Sequence, residues 1–213
     1  MMDAAFWHQK WENRDTPFHE SETNALLLKY FKELSLPEGS RVFVPLCGKT
    51  RDIAWLLSQG YRAAGAELSE LAVTQLFAEL GVEPVISQAG RLKHYRAPDL
   101  DIFVGDLFEL SQEVLGPVDA VYDRAALVAL PKEMRRRYTA RLMEITGKAK
   151  QLLILYEYDQ NLQEGPPFSI STGEVNQHYE NSYDMTRLAS VEVPGGLKGK
   201  CTAKENVWLL KNG

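Results

Sequence analysis

The stretch Arg41–Glu67, RVFVPLCGKTRDIAWLLSQGYRAAGAE, constrains the fold more than any other part of the chain. Arg41–Val44 reads as a strand, Pro45–Thr50 as a tight loop, Arg51–Gln59 as a helix, and Tyr61–Ala66 as a second strand closing on the acid Glu67. Two short strands joined through a helix lie parallel in one sheet. In such sheets ligands bind beyond the carboxyl ends of the strands, where a loop glycine meets a helix N-terminus. Glu67 follows Gly48 by nineteen residues. An acid so placed can accept hydrogen bonds from both hydroxyls of a ribose. The pattern points to a nucleoside-bearing ligand.

The loop narrows the kind of nucleoside. Gly48-Lys49-Thr50 supplies the second half of a phosphate-binding G-x-x-x-x-G-K-[ST] loop, but Phe43 occupies the position of its first glycine. The dinucleotide pattern G-x-G-x-x-G also fails, because Pro45-Leu46-Cys47-Gly48 holds one glycine where three are needed. One glycine with a ribose acid suits a nucleoside whose tail is an amino acid, and S-adenosylmethionine fits that description. An ordinary helix–strand connection remains the alternative for the loop alone. An ATP-using small-molecule enzyme and a noncatalytic S-adenosylmethionine binder stand as the other functional classes.

The rest of the chain continues the alternation. Trp7 and Trp11 lie four apart in an amphipathic N-terminal segment, so a helix puts both on one face. They can staple this extension to the domain, or Trp11 can form a lid over a flat ligand together with Phe18. Ser21–Leu34 reads as a helix, stopped by Pro37-Glu38-Gly39, and Ser69 caps another that runs to about Leu80 with Leu71, Leu76 and Phe77 facing inward. Strand-like runs follow at Val82–Ser87, Leu92–Tyr95, Asp101–Val104, Val118–Tyr122 and Gln151–Tyr156, then Thr186–Val193 and Thr202–Leu210 as a closing antiparallel hairpin. A helix from Pro131 to about Gly147 carries Arg135-Arg136-Arg137, expected on a solvated face, and a second helix ends near Tyr179.

Two acids stand at strand ends. Asp106 can read an adenine amino group or simply cap a short helix. Asp123-Arg124 closes a run apolar enough for an interior strand. A buried arginine there needs a partner or an anion, so the pair is a functional candidate, with a structural ion pair as the alternative.

Composition excludes several partners. A chain of 213 residues suits one α/β domain, and a net charge of −5 argues against nonspecific nucleic-acid binding. The two cysteines, Cys47 and Cys201, lack metal-ligand spacing, and no run approaches a membrane span. The expected protein is a cytoplasmic monomer that meets small molecules, with no metal, nucleic acid or membrane.

About seven of these nine strand-like runs, alternating with helices and ending in an antiparallel pair, outline the class I methyltransferase (Rossmann-like) fold. Residues 1–36 would form an N-terminal helical cap on a single domain, with helices on both faces of a mostly parallel sheet whose last strand is antiparallel. The segments VFVPLCGKTRDIAWL, GAELSELA, DRAALVAL, GPPFSIS and WENRDTPFH together resemble the thiopurine S-methyltransferase family in its bacterial form, over nearly the whole chain. The resemblance implies methyl transfer from S-adenosylmethionine to the sulfur of aromatic or heterocyclic thiols, thiopurines among them. In some bacterial members it extends to detoxification of selenium and tellurium compounds. It also implies that Trp11, Leu46, Gly48, Glu67, Asp106 and Leu107 hold the cofactor. Arg124, beside Asp123, becomes the active-site arginine and also reaches the cofactor. Phe18, Pro167 and Phe168 would line the acceptor pocket. Mammalian-type members place a second arginine before the last strand, where this chain offers only Lys198 or Lys200. A lysine lacks the planar fork of that arginine.

Overall fold

The computed structural model describes residues 4–16 and 19–212. The helices are α1 (Ala4–Glu12), α2 (Ala25–Tyr30), α3 (Arg51–Ser58), α4 (Glu70–Leu80), α5 (Gln112–Leu115), α6 (Lys132–Ile145) and α7 (Thr172–Tyr179). The strands are β1 (Arg41–Pro45), β2 (Arg62–Glu67), β3 (Val85–Ala89), β4 (Leu92–Ala97) and β5 (Leu100–Val104), then β6 (Ala120–Arg124), β7 (Lys150–Tyr158), β8 (Asp184–Glu192) and β9 (Ala203–Lys211).

All strands join one sheet in the order β3-β4-β5-β2-β1-β6-β7-β9-β8. From β5 to β7 every pairing is parallel, and β9 runs antiparallel between β7 and β8. Those seven strands reproduce the class I methyltransferase outline. The sheet exceeds it by the antiparallel β3–β4 hairpin, which extends the β5 edge. Strand order reverses direction between β1 and β6, and a doubly wound sheet opens its ligand crevice at such a point.

The two faces of the sheet carry separate cores. Val42 and Val44 of β1 pack with Leu27, Ile53, Leu56 and Val73 on the α2–α3–α4 side. Phe43, between them, packs with Tyr138, Leu142 and Val175 on the α6–α7 side. This is the period-2 alternation of a strand buried on both faces. Ile53 and Leu56 are fully buried. Each such side chain contributes about 1.5–3 kcal/mol before its lost entropy is counted.

Helix ends follow local chemistry. The Thr50 hydroxyl accepts from Asp52 N–H at the start of α3, Ser69 does the same for Ala72 at α4, and Gly81 stops α4 in a left-handed conformation. Three expectations shift. The helix expected over Ser21–Leu34 begins at Ala25, because Asn24 caps it by accepting from Leu26 and Leu27 N–H, and it tightens to a 3₁₀ turn at Phe31–Leu34. Leu71 faces solvent, while Ala72 and Val73 turn inward beside Leu76 and Phe77. Arg135 is buried instead of solvated. Its guanidinium donates to Glu174 at 2.8 and 3.0 Å and to the Leu130 carbonyl at 2.8 Å, so protein acceptors stand in for water at Nη1 and Nε.

Candidate active site

A cavity of about 260 Å³ opens over the carboxyl ends of β5, β2, β1 and β6. Leu46, Gly48, Glu67, Asp106, Leu107 and Arg124 all line it, with Trp7 and Trp11 of α1 at its rim. Strands about 4.8 Å apart put the β5 and β6 ends of this wall roughly 14 Å from each other. A wall of that span suits an extended ligand.

At the β1–β2 end, Glu67 is buried and its two oxygens serve different segments. Oε2 accepts from Gly48 N–H at 2.8 Å and Oε1 from Ser69 N–H at 2.8 Å. Burial raises its pKa, opposed by the N–H groups of Ser69, Gly48 and Leu68. With three N–H groups on about four lone-pair sites, the carboxylate keeps acceptor capacity toward the cavity side. The loop that Glu67 braces is tightly wound: Leu46 has φ +46° and Gly48 φ +51°. A side chain on Gly48 would also meet the Trp11 ring at 2.8 Å, so glycine is required there twice over. Trp11 is only 4% exposed because its ring lies against that glycine.

At the β6 end, alternation along the strand decides what faces the cavity. Tyr122 and Arg124 point to the α2–α3 side, and Asp123 points to α6. Arg124 pairs with Glu20, which also accepts from Asn24 Nδ2 at 3.2 Å. Asn24 N–H donates to Asp52 Oδ1 at 2.8 Å, and Tyr122 OH donates to Asp52 Oδ2 at 2.9 Å. The chain of contacts thus closes a ring from Arg124 back to its own strand. Burial works against the Arg124 charge, yet Glu20, Tyr122, Tyr156 and Asp52 outweigh it and hold its pKa above the ordinary arginine value. The guanidinium stays cationic beside an apolar wall of Ala129, Leu130, Pro131 and Met134.

The family model for thiopurine S-methyltransferase (TPMT) matches residues 2–212. The chain belongs to the thiopurine S-methyltransferase family. Relatives bearing that family name include one from Xanthobacter autotrophicus, 54% identical over 211 residues and 99% of both chains. Another, from Teredinibacter turnerae, is 49% identical over 98% of this chain and 97% of its own. Among solved structures, the chain resembles a Burkholderia thailandensis 1,6-didemethyltoxoflavin-N1-methyltransferase holding S-adenosylhomocysteine (TM-score 0.66, 16% identity, 99% of this chain and 87% of that one). It also resembles a TehB-like methyltransferase from Corynebacterium glutamicum (TM-score 0.59, 14% identity, 99% and 98%). At those identities the likeness is one of fold, the class I methyltransferase fold.

As a thiopurine S-methyltransferase family member, the chain is an S-adenosylmethionine-dependent methyltransferase, and its cavity suits that cofactor. Glu67 and Gly48 both line that cavity. Asp106 caps the 3₁₀ turn after β5 by accepting from Phe108 N–H at 3.0 Å, and it lines the cavity as well. The capping reading is therefore the one observed, and the residue also borders the cavity.

Asp123, expected to act in catalysis beside Arg124, needs correcting. It is fully buried and takes no part in the cavity lining. Oδ2 accepts from Tyr138 OH at 2.7 Å and Oδ1 from Leu127 N–H at 3.2 Å. Strand alternation sends it into the α6 core, where burial raises its pKa to about 6. It positions Tyr138 and the turn after β6. Pro167, Phe168 and Lys198 also stand outside the cavity lining. Phe168 N–H donates to the Val128 carbonyl at 2.6 Å, its ring lies under Arg135, and Lys198 donates to the Pro166 carbonyl at 2.8 Å. Phe18 falls outside the described residues.

Sequence reasoning missed Glu20, Asp52, Tyr122, Phe108 and Arg137, all cavity-lining. Tyr122 carried a signal, since it shares a strand face with Arg124 two residues on. Arg137 lies 3.9 Å over the Phe108 ring, a pairing that only the approach of α6 to the β5 turn creates. Lys49, the phosphate-loop candidate, is tied to Glu79 at 2.7 Å, and Thr50 is spent as the α3 cap. Neither is arranged to cradle a triphosphate.

Proposed function

We propose that this enzyme methylates the sulfur of aromatic or heterocyclic thiols, thiopurines included, with selenium and tellurium compounds as further acceptors. The observation that supports it most is the placement of Arg124. A desolvated, permanently charged guanidinium stands at the β6 end of the cavity, beside the apolar wall and across β1 from Glu67. That combination suits a flat apolar acceptor whose attacking atom gains negative character.

When bound, S-adenosylmethionine supplies a methyl group already activated by its sulfonium. The remaining work is positioning and exclusion of water. Glu67, Gly48 and Asp106 hold the cofactor end, Trp11 covers the loop, and Leu130, Pro131 and Met134 hold the face of the acceptor ring. Arg124 stabilises the thiolate form as the sulfur attacks, and the thiol proton passes to water. Because the sulfonium carries its own activation, the step needs no metal.

A transfer assay with labelled S-adenosylmethionine tests this against benzenethiol, a thiopurine, selenite and tellurite, with catechol as the control. Label on the sulfur or chalcogen acceptors but not on catechol is the expected result. Transfer to catechol alone would overturn the acceptor class, and binding without any transfer would favour a noncatalytic binder.

A further inference from the structure

Arg124 is the cavity arginine nearest to a carboxylate, and that carboxylate comes from the N-terminal segment. Glu20 lines the same cavity, pairs with the guanidinium, and is itself 42% exposed at its side chain, against 10% for Arg124. Asn24 holds the second Glu20 oxygen, and Asp52 holds Asn24, so the pair is seated on a built hydrogen-bond network. Other negative groups face the same guanidinium. Asp52 is buried one contact away, and Glu205, opposite Tyr156 across the β7–β9 ladder, also feels its charge. The other cavity-lining cations are engaged as well. Lys49 pairs with Glu79, and Arg137 stacks on Phe108. Lys198, the lysine expected to replace a second arginine, donates to the Pro166 carbonyl outside the cavity lining.

We infer that Glu20 is a specificity-determining residue: an internal counter-anion on Arg124 that admits thiols with an uncharged ring and disfavours acceptors bearing a permanent carboxylate. A neutral thiol reaches the apolar wall with the ion pair intact, and its sulfur develops charge only during attack. A carboxylated thiol brings its full charge on entry. It must displace Glu20 or sit beside three carboxylates matched by one arginine, a repulsive element of the kind that sets specificity. This inference rests on the thiol-methylating reading of the site.

The test is Glu20→Gln, which keeps the size and one acceptor oxygen while removing the charge. The ratio of kcat/KM for 2-mercaptobenzoate to that for benzenethiol should rise about tenfold over wild type. Benzoate affinity, measured by calorimetry with S-adenosylhomocysteine present, should tighten by a similar factor. Glu20→Ala should move both quantities in the same direction, which separates lost charge from an added amide. If ratio and benzoate affinity stay at wild-type values, the assignment of Glu20 is overturned. If no thiol is methylated by any of the three proteins, the S-methylation reading fails, and benzoate affinity alone still decides whether Glu20 guards Arg124.

Discussion

Where Glu67 meets Gly48, one wall of the cavity is held by backbone N–H groups on a buried carboxylate. Where Glu20 meets Arg124, the opposite wall is held by two side chains, one of them nearly half exposed. The first arrangement leaves little freedom, since moving Glu67 strands two buried donors. The second is freer on one side only: a displaced Glu20 can be rehydrated, but the buried Arg124 then needs another anion in exchange. On the proposed reading, the constant cofactor meets the fixed surface, and the acceptor meets the one that an incoming anion would have to rearrange.

The sharpest way to break this comparison is Glu67→Ala. Two buried N–H groups lose their acceptor, which should lower stability by about 2–4 kcal/mol. S-adenosylhomocysteine affinity should fall about 10- to 100-fold by calorimetry. Wild-type affinity in that variant would remove Glu67 from the cofactor site.

A pH series sharpens the picture beneath the arginine. The folded-state pKa of Asp123 is raised to about 6. Its contribution to stability is therefore fully present below about pH 4 and is lost as pH rises through about 6. Asp123→Asn stays neutral, so its stability relative to wild type should grow between pH 4 and 7, by at most about 3 kcal/mol. Buried Glu67 titrates in the same direction, so a slope should remain in the variant. Parallel urea-unfolding curves for the two proteins across this range would show that Asp123 is not the titrating group.

Arg124→Ala addresses the Glu20–Arg124 wall directly. Thiol kcat/KM should drop about 10- to 100-fold, roughly 1.4–2.7 kcal/mol, with S-adenosylhomocysteine affinity held within about twofold. Unimpaired thiol methylation would end its role as the acceptor-side cation. The smallest effect belongs to Gly48→Ala. A non-glycine residue at φ +51° costs about 1 kcal/mol, and the added methyl pushes on Trp11. A Tm about 3 °C lower, with altered tryptophan fluorescence, is expected. An unchanged melt and spectrum would mean Trp11 does not rest on this glycine.

Much of the Gly48–Glu67 wall, proposed for the cofactor, was legible in the chain because its parts are close in sequence. Gly48 and Glu67 belong to one strand–helix–strand unit, and a single-glycine loop with an acid at the next strand end can be read by counting. Asp106 was legible for the same reason, as an acid leaving a strand. The acceptor wall was only half legible. Arg124 stood out as a charge at the end of an apolar run, but nothing local ties it to Glu20, which lies 104 residues away. Asp123 was read as Arg124's equal because adjacency in sequence looks like adjacency in space, whereas neighbours on a strand face opposite sides of the sheet.

The sequence by itself determined the class of fold, the tight loop after β1 and the family, through hydrophobic period, turn residues and short motifs that act over a few residues. Only the tertiary structure decided that the runs read near 82–87 and 92–95 pair as a hairpin on the β5 edge, that Arg135 is buried against Glu174, and that Arg124 already holds a carboxylate. Local steric and capping preferences are written in neighbouring residues. The partner of a buried charge is set by which distant segments the packed sheet brings within hydrogen-bonding distance.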